Sequence, residues 1–358
     1  MSSVISLVEF GQLSEWDRYV SQHPHGSIFH TAGMVRCQVA ARDIHPFAYG
    51  AVTAEGQIVA MLVANRVVTS AGMGLPLAAR SLFYAEPLAD ATEEGSCGLR
   101  MLVAEHDRQM HSRVLFAEVR PMFGNLELDA VLTERGYERQ GYLNYEFDLD
   151  SDTETMFGRV GPKRRNNVRS ARRRGVVVEE CSAGVGVEPL YAMLTESYGV
   201  SRLPMVDRSL FEAAEREWGR ETYRVYAAYW EGRLAAAACF LTYKQRVICW
   251  FAGAIRIPGV SATSLLFWEA MRVYASAGYQ IFDFAGGGWE GEAYGPGQFK
   301  AKFGGRVVNH GRYRRVYSPW KLRVASAVYD QVRRYIAPRP ALIGRTERYR
   351  ENKQEPLS

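Results

Sequence analysis

The sequence has little cysteine: five residues, Cys37, Cys97, Cys181, Cys239 and Cys249, an odd number scattered along 358 positions. None belongs to a Cys-x-x-Cys pair and none has a pair of histidines close by, so neither a disulfide framework nor a zinc site is expected; no metal site is expected at all, and a reducing cytoplasm suits the chain. Long hydrophobic runs are also missing. The longest, residues 234–243 (LAAAACFLTY), gives way to Lys244 and Arg246, well short of the ~20 residues a membrane-spanning helix needs. The opening MSSVISLVEFGQLSEW lacks a basic stretch ahead of an apolar one, so no secretory signal is expected.

What is there is an ordinary globular balance, 47% hydrophobic and 23% charged, in a chain long enough to bury two separate cores. The formal charge of +5 favours anionic partners such as phosphates, nucleic acid or lipid headgroups. Hydrophobic periodicity switches repeatedly between two and 3.6, the pattern of mixed α and β structure. Residues 51–60 (AVTAEGQIVA) and 227–236 (AAYWEGRLAA) both place apolar runs around a Glu-Gly turn, and Glu55 and Glu231 stand 176 positions apart, about half the chain. That spacing suggests an internal duplication.

The order within each half supports it. In the first, the hairpin precedes a helix at 98–111 and a strand at 114–119 (VLFAEV); in the second, a helix at 263–276 leads to a strand at 280–284 (QIFDF). A strand at 142–149 (YLNYEFDL) closes the first half, and the acidic stretch after it marks a boundary. The expected fold class is therefore α/β (α+β): residues 1–152 and 153–318 as tandem domains, each a mixed central sheet flanked by helices, then residues 319–358 as a C-terminal helix and tail.

Residues 161–180 (GPKRRNNVRSARRRGVVVEE) read as a short basic helix stopped by Gly175 and followed by a strand. Its Lys163, Arg164, Arg165, Arg172 and Arg173 are candidates for phosphate or RNA contact, against a solvated face partly paired to acids. Further on, FDFAGGGWEGEAYGPGQFKAKFGG at 282–305 runs from a strand into glycine. Gly286, Gly287, Gly288, Gly291, Gly295 and Gly297, with Pro296, are read as a loop, because glycine suits neither a helix nor a strand interior.

Taken together, SIFHTAGM at 27–34, PKRRNNVRSARRRGV, the EGR hairpin and FDFAGGG…FKAKFGG resemble the Fem-type aminoacyltransferases and their relatives in the GNAT acyltransferase superfamily, over about residues 10 to 318. The resemblance implies tandem GNAT-like domains and transfer of an aminoacyl group from aminoacyl-tRNA to the amine of a phosphate-bearing cell-wall precursor or related acceptor. It implies that Lys300 of the FK motif matters for activity and that Arg36 and Arg202 help hold substrate phosphates. Met34 stands where relatives carry Trp, which leaves the acceptor open.

Beside that resemblance, the residues suggest their own chemistry. No Ser-His-Asp or Cys-His arrangement stands out, which points to direct attack on a bound donor, with no tightly bound cofactor. Lys300 can serve as a fixed positive charge for a developing oxyanion, with Lys302 in reserve. Asp283 is either a general base or, preferably, a buried partner for an arginine. Trp289, Glu290 and Tyr294 could meet the acceptor, and Trp250 either lines the groove or fills core. His30 is read as structural. An acyl-CoA pyrophosphate loop is not evident; residues 70–80 (SAGMGLPLAAR) have glycines but no basic or amide residue at the right place. That shifts weight to aminoacyl-tRNA. Acyl-CoA-dependent N-acylation in polysaccharide, lipid or natural-product assembly is the alternative, and a non-catalytic RNA- or membrane-binding protein the rival of another class. The amphipathic stretch at 320–336 reads as a helix packed on the second domain, or as a peripheral membrane contact.

Overall fold

Both Glu-Gly pairs turn hairpins. Gly56 has φ 80°, and Glu231 and Gly232 have φ 50° and 70°, the left-handed backbone that a tight turn between twisted strands requires. The computed structural model describes residues 5–68, 79–201, 205–292 and 295–336. Its strands are β1 (Ser6–Glu9), β2 (Ile44–Val52), β3 (Ile58–Val68), β4 (Ala79–Phe83), β5 (Leu88–Ala89), β6 (Phe116–Val119), β7 (Glu138–Gln140) and β8 (Tyr142–Asp148). After the basic helix come β9 (Val177–Glu180), β10 (Tyr223–Trp230), β11 (Arg233–Tyr243), β12 (Arg246–Ala254), β13 (Ile281–Trp289), β14 (Arg306–Val308) and β15 (Arg312–Val316).

Two mixed sheets result. The first runs β1-β2-β3-β4-β6-β15-β7, with β5 beside β3; the second runs β14-β8-β13-β12-β11-β10-β9. They repeat one plan. Four antiparallel strands lead to a crossover helix, Glu93–Met110 in the first half and Ala262–Ser276 in the second, which returns to a parallel neighbour, β6 beside β4 and β13 beside β12. Local chemistry starts the first of these helices: the Thr92 side chain accepts from Gly95 N, and Glu93 and Glu94 sit in the first turn, where carboxylates favour the positive end of the helix.

The halves then trade strands. β8, expected to close the first half, pairs with β13 in the second sheet, while β15, from the end of the chain, pairs with β6 in the first. The crossings lie at Gly141 and at Asn309–Gly311. Asn309 Oδ1 accepts from Tyr142 N (3.1 Å) and Gly311 N (3.2 Å), and its Nδ2 donates to Glu290 Oε2 (3.0 Å), clasping the two crossings together. A shared core runs across residue 152 as well: Val225, Ala237, Cys239, Leu241 and Ile248 of the second sheet pack in one cluster with Ile28, Phe29, Met34 and Cys37.

The glycines at 286–288 are part of β13, and Gly295 and Gly297, with Pro296, are part of the helix Gly295–Ala301, not of a loop. Their missing Cβ atoms make room for neighbours: a Cβ on Gly286 would stand 2.7 Å from the Tyr142 hydroxyl, one on Gly287 2.2 Å from the Tyr145 ring, and one on Gly297 1.9 Å from the Gly287 carbonyl oxygen. The general aversion of strands to glycine is overridden where another chain segment must approach closely. The basic helix forms as expected over Pro162–Arg173, and Gly175 ends it with φ 76°. At the other end, the helix Pro319–Ile336 forms, but Trp320, Val324 and Val328 are 64%, 48% and 42% exposed, so the packing expected for this face is not made.

A fragment of residues 1–152 lacks β15 and leaves β6 with an open edge, and residues 153–336 lack β8. Each alone is expected to aggregate or to melt without a cooperative transition, whereas co-expression restores a soluble complex; gel filtration and thermal melts check this. Gly287→Ala is expected to lower stability by about 1–3 kcal/mol through overpacking against Tyr145, read from urea denaturation.

Candidate active site

The parallel pair β12–β13 is short. It runs only from Arg246 opposite Ile281 to Ile248 opposite Asp283; β12 then continues along β11 to Ala254. β13 meanwhile bulges against β8 after Asp283, with Ala285 at φ 57°, and the strands part. The helix Gly295–Ala301 delivers Lys300 here, its Nζ donating to the Gly286 carbonyl at 2.7 Å. Burial lowers the Lys300 pKa from its usual value, Arg312 adds to this, and Cys249 and Asp283 oppose it. The buried Cys249 thiol is pushed up to about 12, so it stays neutral and is not a nucleophile.

Asp283 is the buried partner of an arginine, the role the sequence favoured for it. Its Oδ1 accepts from Ala285 N (2.7 Å) and its Oδ2 lies 3.4 Å from Arg246 Nη1. Arg246 also pairs with buried Glu146, which Arg306 holds from the other side at 3.0 Å. Burial raises the Asp283 pKa; for Glu146 burial pushes upward too, but Arg246 and Arg306 outweigh it and hold the carboxyl below its usual range. On the far side of Arg246 its guanidinium lies over Phe123 (5.5 Å), which stacks on His25 at 4.9 Å.

Trp289 meets Tyr142 edge to face at 4.9 Å, and Arg312 lies 3.4 Å over the Tyr142 ring. Glu290 is exposed and tied to Asn309. Tyr294 and Arg202 lie outside the described residues, as do 70–78 of the glycine-containing stretch at 70–80. Lys302 is exposed and does not share a side with Lys300, because the helix Gly295–Ala301 ends between them and residues two apart along a helical path diverge. Trp250 packs on Phe211 and Phe251 in the shared core, whereas its neighbour Cys249 faces Lys300. Arg36 is engaged by Glu217 of the second half. His30 is structural: its Nδ1 closes a capping box with Ser27, its Nε2 contacts the Glu86 carbonyl (2.7 Å), and burial drives its pKa to about 4.

The basic helix divides. Arg164 lies 3.9 Å over Phe299, beside Lys300, and bonds Ser264 Oγ (3.1 Å), with burial lowering its pKa to about 10. Arg165 donates to the carbonyls of Gly158 and Val160, and Arg172 pairs with Glu269. Lys163 and Arg173 remain exposed. A cavity of about 300 Å³ under this helix is lined by Arg172, Glu180, Glu269 and Arg272 among others, and shares no residue with the Lys300 cluster.

Sequence reasoning missed Arg246, Glu146, Arg312 and Tyr142. They are remote in the chain and meet only because β8 and β15 change sheets. Arg246→Met leaves two buried carboxylates short of a partner and is expected to cost about 3–5 kcal/mol. Glu146 keeps Arg306, but Asp283, already raised by burial, loses the charge of Arg246 that opposes the rise, so the deficit shrinks as pH falls toward the ordinary carboxylate range and grows above it; urea denaturation across pH checks the sign.

Comparison with known proteins agrees with this architecture. Residues 162–300 match the family model for an acetyltransferase (GNAT) domain. Among solved structures, FemX has a TM-score of 0.62 at 12% identity, covering 88% of this chain and 98% of its own. A tandem GNAT protein from the clavulanic acid biosynthesis pathway scores 0.56 at 13% identity, covering 88% and 99%. L-PGS from Bacillus licheniformis scores 0.52 at 11% identity, covering 89% and 96%. No curated protein matches by sequence. Residues 162–300 thus match a GNAT acetyltransferase domain, and the chain shares the fold of FemX and of the tandem GNAT protein.

Proposed function

We propose that the chain transfers an aminoacyl group from aminoacyl-tRNA to the amine of a phosphate-bearing cell-wall precursor or related acceptor, at the point where β12 and β13 part. The observation that carries this reading is Lys300: a half-buried ammonium held on the Gly286 carbonyl, inside the second sheet and beside neutral Cys249. The acceptor nitrogen attacks the donor's ester carbonyl; the C–N bond forms, the C–O bond to the ribose breaks, and the proton lost by the amine ends on the leaving hydroxyl. Lys300 supplies positive charge where the carbonyl oxygen becomes negative. Positioning by the walls of the cleft supplies much of the rest. Arg164, fixed over Phe299, sets the helix that carries Lys300, and Lys163 and Arg173 remain free for a nucleic-acid backbone.

A second donor is favoured by a specific finding, the match of residues 162–300 to an acetyltransferase domain. With an acyl-CoA the same attack breaks a C–S bond and the thiol leaves. We place the work in the cytoplasm. No helix among the described residues is long and apolar enough to cross a membrane, and the exposed face of Pro319–Ile336 is the element suited to touch the inner membrane surface.

Incubation with labelled aminoacyl-tRNA and with labelled acetyl-CoA, each with an amine acceptor, separates the donors; label transfer from neither sinks the reading. Lys300→Met is expected to lower kcat by about 10²–10³ with little change in stability. Because burial lowers the Lys300 pKa, its charge is lost at a lower pH than for a free lysine. Wild-type kcat should therefore fall on the alkaline side, and that limb should be missing in Lys300→Met.

A further inference from the structure

Three arginines converge on one buried carboxylate in the first sheet. Glu118 of β6 has Arg120 Nε at 2.8 Å, Arg312 Nη1 at 3.2 Å and Arg314 Nη2 at 3.6 Å. A fourth, Arg80, stands on β4: Leu82 lies opposite Glu118, and Arg80, two residues before Leu82, shares its face. Arg80 Nε is buried without a hydrogen-bond partner. Burial lowers the Arg80 pKa, and the charges of Arg120 and Arg314 lower it further. Among the described residues, no carboxylate but Glu118 forms an ion pair with any of the four.

Glu138 of β7 lies opposite Arg314 and shares this face, so four positive charges stand against two negative ones, an excess of two. A folded chain does not gain by gathering guanidinium groups out of water unless an anion joins them, since like charges repel more strongly as the surroundings lose solvent. Guanidinium forks match phosphate oxygens in bidentate fashion, and Glu118 cannot accept from all the N–H groups aimed near it. Arg314, 43% exposed at its side chain, keeps the cluster open to solvent, while Arg312 is 17% exposed.

The cluster adjoins the Lys300 site. Arg312 covers Tyr142 at 3.4 Å and reaches Trp289 at 5.6 Å; the Tyr142 hydroxyl lies against Gly286, whose carbonyl holds Lys300. We propose that Arg80, Arg120, Arg312 and Arg314 bind the phosphoryl group of the acceptor, as a phosphomonoester or diphosphate, and so present its amine to the acyl carbonyl beside Lys300. The placement of the amine rests on the acyl-transfer reading above; the phosphoryl site does not.

Calorimetric titration of the full chain with inorganic pyrophosphate tests it. Wild type should bind, Arg80→Gln and Arg314→Gln should each weaken binding at least about tenfold, the price of one charge-assisted contact, and Arg100→Gln, at an exposed position on the helix Glu93–Met110, should not. Arg314→Lys, which keeps the charge at a half-exposed position but loses the fork, should bind more weakly than wild type and guards against misfolding of Arg80→Gln. Parallel sedimentation with phosphatidylglycerol vesicles tells the source: binding lost in the same variants indicates a lipid headgroup, and inert vesicles indicate a soluble phosphorylated compound. No pyrophosphate binding by wild type, or equal binding by all variants, overturns the proposal. Lys300→Met should bind pyrophosphate as wild type does. If it does so while no acyl transfer is found with either donor, the transfer reading falls and the phosphoryl site stands.

Discussion

Pairing of β8 with β13 and of β15 with β6 is the constraint on which the remaining structure depends. A parallel strand pair such as β12–β13 gains half its backbone hydrogen bonds from the neighbour beyond it, and here that neighbour comes from the other half of the chain. The exchange places Glu146 of β8 beside Asp283, so that Arg246 and Arg306 can neutralise the two acids. It also carries Arg312 and Arg314 from the end of the chain onto the first sheet. The Asn309 clasp holds both crossings in register.

Glycine governs the site for a related reason. Backbone must come within contact distance of rings and of other backbone at Gly286, Gly287 and Gly297: a side chain on Gly286 or Gly287 would strike Tyr142 or Tyr145 of β8, and one on Gly297 would hold the helix Gly295–Ala301 away from β13. Lys300 then could not reach the Gly286 carbonyl. The cation is thus positioned by close approach of main chain, with Phe299 beneath Arg164 as its outer support.

Much of this was legible in the sequence. The Glu-Gly turns, crossover helices and basic helix follow from local chemistry and periodicity, and they appear where expected. Lys300 was legible through its motif, and it lies in the parted strands; Asp283 was legible as an arginine's partner. The destination of 142–149 was not, because alternation of side chains reveals a strand without revealing which sheet it joins. Gly286–Gly288 misled for a similar reason: a close approach leaves no local mark distinct from that of a flexible loop. Arg164, Arg165 and Arg172 looked like a free cationic face, yet their partners Phe299, the Gly158 and Val160 carbonyls and Glu269 are visible only once the helix is docked.

The traded strands also bear on ancestry. The wiring is that of two copies of one unit, each lending a strand to its twin, such as a dimer with interchanged segments would have before its genes were joined. After such a fusion neither copy can be discarded, because deleting one would strip a structural member from the survivor. One half is therefore free to lose its own catalysis and drift toward holding ligands, provided it keeps supplying its strand.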